Sequence, residues 1–173
     1  MIYQLILAVS LISLVQSNCP EPDRYINGSC FTFVNIPMAF WEAEQYCGYN
    51  APNRWSYLAL EESNTQAIWL ARIAATIFSA RNFWIGVYRP TVHDNFRTIF
   101  HPYLTFQYFA QINPSMNFAA GRTSDGKWIT LPEEERLPFV CSYKPDSEEV
   151  TQTRAENKSS WERLKEYLFG KSD

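Results

Sequence analysis

Four cysteines constrain this chain more than any other feature: Cys19, Cys30, Cys47 and Cys141. An even number of cysteines in a secreted chain indicates disulfide bonds, and four cysteines allow three pairings. A hairpin turn predicted at residues 27–28 would let Cys19 meet Cys30, which leaves Cys47 and Cys141 to close a long loop. The alternative is a zinc site, but no two of these cysteines are two to four residues apart.

The first 17 residues predict that the chain is secreted. They carry no charge, and Leu5–Val15 is an apolar run interrupted only by two serines. This run is short for a bilayer span, and Val15-Gln16-Ser17 fits a small-residue cleavage site. We therefore expect a signal peptide over 1–17 and an extracellular mature chain with no membrane span. A buried N-terminal helix is the alternative.

Length and composition favour one folded domain. The chain has 173 residues, of which 46% are hydrophobic and 16% aromatic, so it can bury a large core. Its formal charge is -3, and no basic stripe stands out. We therefore expect no nucleic-acid partner.

The first half of the chain predicts a hairpin and two helices. Tyr25–Val34 reads as a short hairpin, and Pro37 is expected to open a helix that runs to Cys47. A short strand is predicted over Trp55–Leu60. Ser63–Gln66 has the pattern of a capping box, and apolar residues repeat at helical spacing behind it.

The second half predicts strands around an irregular segment. Phe83–Tyr88, Lys127–Leu131 and Phe139–Tyr143 are predicted as strands. Arg89–Thr123 shows no lasting period, and within it only Leu104–Phe109 is a strong strand candidate. A loop of this length inside a domain is usually functional. The order predicts an α+β domain with two helices and a mostly antiparallel sheet.

The last 30 residues, 144–173, are predicted to form a charged tail, because six of them are basic and seven acidic. Ser159–Phe169 could form a short amphipathic helix that docks on the domain, binds a partner helix, self-associates or remains frayed. Asn27 and Asn157 each begin a glycosylation sequon. The folded domain is therefore expected over residues 18–143.

Several segments, in this order, resemble a C-type lectin-like domain. Phe40–Cys47 is similar to the first helix of that family, Phe83–Val87 to its Trp-Ile-Gly strand, and Gly126–Trp128 to its Gly-x-Trp segment. Leu137–Cys141 is similar to its closing strand, and the N-terminal cysteine pair to the extension of its long form.

This resemblance implies a Cys47–Cys141 bridge and a ligand surface on the long segment Arg89–Thr123. The inner disulfide of the family has no cysteines here, so the resemblance implies a less tethered loop.

The sugar-binding members of that family hold a calcium ion, which needs six to eight oxygens with several carboxylates among them. Where the resemblance places their Glu-Pro-Asn triplet, this chain has Asn113-Pro114-Ser115, and Thr130 stands where they have an aspartate. Ile129 replaces an asparagine. Asp125 is the nearest acid, and we expect it in a turn. We therefore expect no calcium, no other metal and no cofactor.

The candidate ligand-binding residues are Asn113, Pro114, Ser115, Asn117 and Thr130, which could form a metal-free surface. The alternative is a solvated loop without a ligand. The aromatic residues of 106–109 are expected to pack inside the domain.

No catalytic constellation stands out. His93 and His101 lack an accompanying Ser or Cys motif, and Glu133–Glu135 reads as a solvated turn. The sequence therefore predicts a secreted, non-catalytic, calcium-independent recognition module that binds a protein or glycan ligand through the long loop. One alternative is a true carbohydrate-binding lectin with a divergent site. The other is an assembly protein that uses its tail helix.

Overall fold

A computed structural model describes residues 19–49 and 55–145 of the chain. The predicted signal peptide, the predicted tail helix and Asn157 lie outside the described residues. Within the described part, no helix is both long and apolar enough to span a membrane.

The described residues form two helices and nine strands, which confirms the predicted α+β class. In chain order the elements are β1 (Arg24–Ile26), β2 (Ser29–Met38), α1 (Phe40–Tyr49), β3 (Tyr57–Leu58), α2 (Asn64–Ile77), β4 (Asn82–Tyr88), β5 (Arg97–Thr98), β6 (Phe109–Gln111), β7 (Phe118–Arg122), β8 (Trp128–Leu131) and β9 (Leu137–Tyr143).

All nine strands belong to one sheet that is mostly antiparallel. Its main path runs β1-β2-β9-β4-β7-β8-β6, while β3 pairs with β9 and β5 pairs with β4. Two of the pairs, β4 with β9 and β6 with β8, are parallel. β9 therefore lies inside the sheet, and its residues are buried along their whole length.

The predicted hairpin is present and is closed by a disulfide. Asn27 and Gly28 have φ angles of 48° and 85°, the left-handed values that a tight hairpin turn requires. The turn joins β1 to β2, and Cys30 in β2 is bonded to Cys19. Asn27 is exposed at this turn, and its glycosylation stays a prediction.

Helix α1 begins at Phe40, so the prediction that Pro37 opens it is wrong. Residues up to Met38 still belong to β2, because this strand pairs with β9 as far as Met38. The helix starts where a cap becomes available: the Glu42 carboxylate accepts a hydrogen bond from the Ala39 N–H at 3.1 Å.

The far end of α1 is tied to the sheet. Cys47 is buried and is disulfide-bonded to Cys141 of β9, 94 residues further along the chain. This is the bridge that the family resemblance implies. It fixes α1 against the centre of the sheet.

Helix α2 begins as its capping residues predict. The Ser63 hydroxyl accepts a hydrogen bond from the Gln66 N–H at 3.2 Å, and the Gln66 side-chain oxygen accepts one from the Glu62 N–H at 2.7 Å. The apolar residues at helical spacing form the buried face, which comprises Ala67, Leu70, Ala71 and Ala74.

The two helices cover different parts of the core. β4 contributes side chains to both parts of the core, because successive side chains of a strand point to opposite faces. Phe83, Ile85 and Val87 pack in the cluster that includes α2, whereas Trp84 packs in the cluster that includes α1. Burial on both faces explains the unbroken apolar run of this strand.

Gly86 lets the backbone of residues 58–59 pass close to β4. A Cβ atom at this position would lie 2.4 Å from the backbone oxygen of Leu58. The Gly86 N–H instead donates to the Ala59 oxygen at 2.8 Å. Of the predicted strand Trp55–Leu60, only the two residues of β3 form a strand.

The prediction of a strand over Leu104–Phe109 is wrong, since only Phe109 belongs to one, the short β6. Leu104, Phe106 and Tyr108 are partly buried against the core cluster that includes α2. Their alternation therefore reflects the packing of an irregular segment and not strand pairing.

The sequence also missed β7, which lies inside the segment predicted to be irregular. Phe118–Arg122 contains two alanines and a glycine, residues that are uncommon in strands. It becomes a buried strand because β4 pairs with it on one side and β8 on the other.

Candidate functional site

Arg89, the first residue after β4, holds the loop Asn113–Asn117 from within. Its Nη2 donates to the backbone oxygens of Pro114 at 2.6 Å and Met116 at 3.0 Å. Its Nε donates to the Asn117 side-chain oxygen at 3.1 Å, and its backbone N–H to the Asn117 backbone oxygen at 2.8 Å. The buried Arg89 side chain and its backbone N–H therefore hold both the loop backbone and the Asn117 side chain in place.

The Arg89 guanidinium also contacts an aromatic ring. Its Cζ lies 4.9 Å from the centre of the Phe96 ring, which is within the range of a cation–π interaction. The Phe96 ring in turn contacts Phe109 at 4.7 Å. Only 8% of Arg89 is exposed, so its charge is shielded from water by the loop and the ring.

Asn113 and Thr130, two of the predicted ligand-binding residues, contact each other. The Asn113 N–H donates to the Thr130 hydroxyl oxygen at 2.7 Å. The Asn113 side-chain oxygen accepts a hydrogen bond from the Ser115 N–H at 3.0 Å. These oxygens therefore stabilise the loop and its attachment to β8.

The five predicted residues divide into an outward and an inward group. Asn113, Pro114 and Ser115 are exposed, whereas Thr130 is buried and Asn117 is partly buried. Among the described residues the only cis peptide bond precedes Pro22, so the peptide bond before Pro114 is trans. A ligand can therefore reach the outward group, while the inward group supports it.

Asp125 lies in the turn before β8, as expected. Its carboxylate forms an ion pair with Arg122 and also accepts a hydrogen bond from the Lys127 N–H at 3.1 Å. The hydrogen bond from Arg122 lowers the pKa of this carboxyl. Across 19–49 and 55–145, no three His, Cys, Asp or Glu residues are grouped so that they could hold a metal ion.

The aromatic residues of segment 106–109 pack inside the domain, as predicted. Phe106 and Phe109 contact the Trp128 ring edge to face, with ring centres 5.5 and 5.2 Å away. The Trp128 indole N–H donates to the Glu61 carboxyl. Burial raises the pKa of Glu61 to about 8.

A cavity of about 400 Å³ lies beside this cluster. Its lining residues come from segments 57–62 and 98–106, together with Val87 and Lys144. This cavity could not be predicted from the sequence, because Glu61 precedes a helix cap and looks like a solvated residue. His101 lines the cavity, and His93 is exposed in a turn.

No protein-family model matches the chain. The chain is 24% identical over 128 residues to the alpha subunit of the snaclec dabocetin from Daboia siamensis. The match covers 72% of this chain and 82% of the snaclec subunit.

Solved structures resemble about three quarters of the chain. Human lithostathine superposes with a TM-score of 0.64 at 19% identity, over 79% of this chain and 98% of lithostathine. The C-type lectin CEL-I from Cucumaria echinata superposes with a TM-score of 0.65 at 17% identity, over 74% of this chain and 99% of CEL-I. At these identities, the structural likeness shows the fold alone.

Proposed function

The chain has the C-type lectin-like fold, and we propose that it is a secreted, non-catalytic recognition domain that works without calcium. The proposed ligand, a protein or a glycan, binds the outward surface of the Arg89–Thr123 region. The two disulfides are typical of an oxidising, extracellular environment and support secretion.

The observation that carries this proposal is the position of Arg89. Its guanidinium donates hydrogen bonds to oxygens of the loop Asn113–Asn117, the loop that the family resemblance assigns to ligand binding. A positive charge fixed in the protein gives these oxygens a partner. The loop can therefore keep its shape without a bound cation.

The oxygens around this loop do not suit calcium. Calcium takes six to eight oxygens and favours carboxylates among them. Asp125, the acidic residue closest to this loop in the sequence, is paired with Arg122. The side-chain oxygens of Asn113 and Asn117 accept hydrogen bonds from within the loop region. A calcium ion would also be repelled by the Arg89 guanidinium.

A loop held in this way offers a preformed surface. Ile112, Asn113, Pro114 and Ser115 are exposed next to one another, and Ile112 is 46% exposed. Binding to a surface that is already ordered costs less conformational entropy than ordering a flexible loop. This arrangement suits recognition, since it presents apolar and amide groups together.

The first experiment compares thermal unfolding of the mature, disulfide-bonded protein in millimolar calcium and in EDTA. We expect the same midpoint in both. A site filled to about a hundred times its dissociation constant would add roughly 2.7 kcal/mol, which is several degrees. Such a shift would overturn calcium independence and favour a divergent calcium-dependent lectin.

The second experiment locates the ligand surface. The protein is applied in EDTA to a glycan array and to an array of extracellular proteins, and Ser115→Arg is compared with Ser79→Arg, an exposed position after α2. We expect Ser115→Arg to abolish binding and Ser79→Arg to retain it. Equal binding by both variants would exclude the loop as the ligand surface.

A further inference from the structure

Helix α2 has an apolar stripe that the rest of the described residues leave partly uncovered. Trp69, Ile73 and Ile77 recur every four residues, so they lie along one side of the helix. Trp69 is 51% exposed, Ile77 is 41% exposed and Ile73 is partly buried. We call these three residues the α2 stripe. Neighbouring apolar residues that are exposed together mark interaction surfaces of soluble proteins.

The solvent side of α2 also carries little charge. A helix at the surface of a domain usually has charged residues opposite its buried face. Among the 14 residues of α2 only Arg72 is charged. A shortage of charge around an exposed tryptophan is typical of the centre of a protein interface. The composition of this side therefore indicates a surface that another segment covers.

The chain leaves the domain beside the start of α2. Lys144 follows β9, and its Nζ donates to the Ser29 hydroxyl at 3.0 Å. Lys144 also lines the cavity together with Glu61 and Glu62, which directly precede the cap of α2. The chain that follows residue 145 therefore begins near one end of α2.

The chain beyond this point is long enough to reach the α2 stripe, and its apolar pattern matches it. The 14 residues 145–158 span at most about 50 Å when extended, whereas α2 is about 21 Å long. The predicted helix Ser159–Phe169 has Trp161, Leu164 and Leu168 on one side. The apolar residues cover a similar length of each helix, about 12 Å on α2 and about 10 Å on the predicted helix.

We propose that the segment Ser159–Phe169 folds as a helix and binds the α2 stripe of its own chain through its apolar side. A helix of about 11 residues is marginal in water by itself, so this contact supplies the stability that the segment lacks. Because the segment is tethered, its effective concentration at the stripe is on the order of millimolar, far above that of a second copy in a micromolar solution. This contact goes beyond the proposed loop function and does not depend on it.

The first test is NMR of the full mature chain labelled with ¹⁵N and ¹³C. We expect nuclear Overhauser contacts between the Trp69 indole and the methyl groups of Leu164 and Leu168. If these methyl groups contact another part of the domain, or no part of it, the proposal fails.

A pair of tail variants changes the apolar side without altering the described domain. Leu164→Gln combined with Leu168→Gln makes this side polar at nearly unchanged helix propensity, and the matched control is Glu162→Gln combined with Glu166→Gln. We expect the backbone amides of the tail segment to exchange with solvent at least tenfold faster in the leucine variant and at the original rate in the control. Equal exchange in both variants would contradict docking through the apolar side.

Variants of α2 locate the docking surface. Trp69→Gln and Ala75→Gln create the same residue at two exposed positions of the helix, only one of which belongs to the α2 stripe. We expect the tail amides to exchange at least tenfold faster in Trp69→Gln and to keep their rate in Ala75→Gln. Equal rates in the two variants would place the segment elsewhere and overturn the proposal.

The last test separates the segment of the same chain from that of a second copy. Light scattering at the NMR concentration should give a monomer, and a mixture of ¹³C-labelled and ¹⁵N-labelled chains should show no contact between chains. A dimer in which Trp69 of one chain contacts Leu164 of the other would make a second copy the occupant, and the proposal would fail.

Discussion

Two regions of the molecule are stabilised internally by different kinds of interaction. The disulfide frame, which we define as β1, β2, α1, β3 and β9, has two covalent bridges and a long antiparallel ladder between β2 and β9. The long loop region, Arg89–Thr123, contains no cysteine and only three short strands. It depends on the hydrogen bonds of Arg89, on aromatic packing against Trp128 and on the pairing of β7 with β4 and β8.

The difference shows how one fold can combine a covalently fixed scaffold with a surface loop whose shape depends on individual side chains. Disulfides reduce the conformational entropy of the unfolded chain, whatever the sequence between the bonded cysteines. A buried guanidinium instead stabilises one loop conformation, because each of its donors needs an acceptor at a defined place. Losses in the frame should therefore be global, while losses in the long loop region should be local.

The largest effect is expected from removing the longer bridge. Replacing Cys47 and Cys141 together by alanine should cost about 4.7 kcal/mol of unfolding free energy, because the bridge spans 94 residues. Replacing Cys19 and Cys30, which are 11 residues apart, should cost about 2.8 kcal/mol. Urea denaturation measures both values. Equal losses would contradict the loop-length argument.

The next effect concerns the long loop region. Arg89→Met removes the donors that bind Pro114, Met116 and Asn117, and should cost about 2–3 kcal/mol. The backbone N–H of Met116 should then exchange with solvent at least tenfold faster by NMR, while amides of β9 stay protected.

The control for this prediction is Arg81→Met, since Arg81 is exposed after α2. It should leave amide exchange in the loop Asn113–Asn117 unchanged. Faster exchange in β9 of the Arg89 variant would mean that the loop and the frame unfold together, and the distinction between the two regions would then be lost.

A separate effect is expected from pH. Burial raises the pKa of Glu44 to about 7 and that of Glu61 to about 8. The folded protein therefore holds protons that the unfolded chain releases, so the contribution of these two carboxyls to stability is fully present below about pH 4.5 and is lost as the pH rises to 8. We expect the melting temperature to drop as the pH rises from 5 to 8.

Glu44→Gln tests the origin of this pH dependence. The amide can still accept the hydrogen bond that Glu44 receives from the Leu58 N–H at 2.8 Å. The slope of melting temperature against pH should become shallower in this variant. Glu134→Gln, in an exposed turn, is the matched control and should keep the original slope. An unchanged slope in Glu44→Gln would exclude this carboxyl as a cause.

The smallest effect is expected at Asp125. Its side chain is 37% exposed and that of its partner Arg122 is 34% exposed, so solvent weakens the ion pair. Asp125→Asn should therefore cost less than about 1 kcal/mol in urea denaturation. A loss above about 2 kcal/mol would show that this turn contributes to the stability of the long loop region as much as Arg89 does.

The parts of the fold that could be predicted from the sequence are those whose signals lie within a few neighbouring residues. Ser63 and Gln66 form a cap within one helical turn, and Asn27-Gly28 forms a turn within two residues. The run Phe83–Tyr88 was predictable because β4 is buried on both faces. The start of α1 was not, because pairing with a distant strand extended β2 past Pro37.

The exposure of the candidate site agrees with the sequence prediction, whereas the ligand-binding role of its residues stays a prediction. The family resemblance pointed to Asn113–Ser115, and these residues are exposed together. Arg89 was not singled out, since an arginine after a strand usually faces solvent. It is buried by residues that lie 24 to 28 positions further along the chain.

By itself the sequence determined the α+β class, the two helices, the hairpin and the cysteines that can bridge them, because those features depend on near neighbours or on residue type. Only the tertiary structure decided that Phe118–Arg122 is a strand, that Leu104–Tyr108 is not one, and that Arg89 lies inside the loop. Each of these depends on partners far away in the chain, and the free energy gained by burying a segment against them outweighs its local preference.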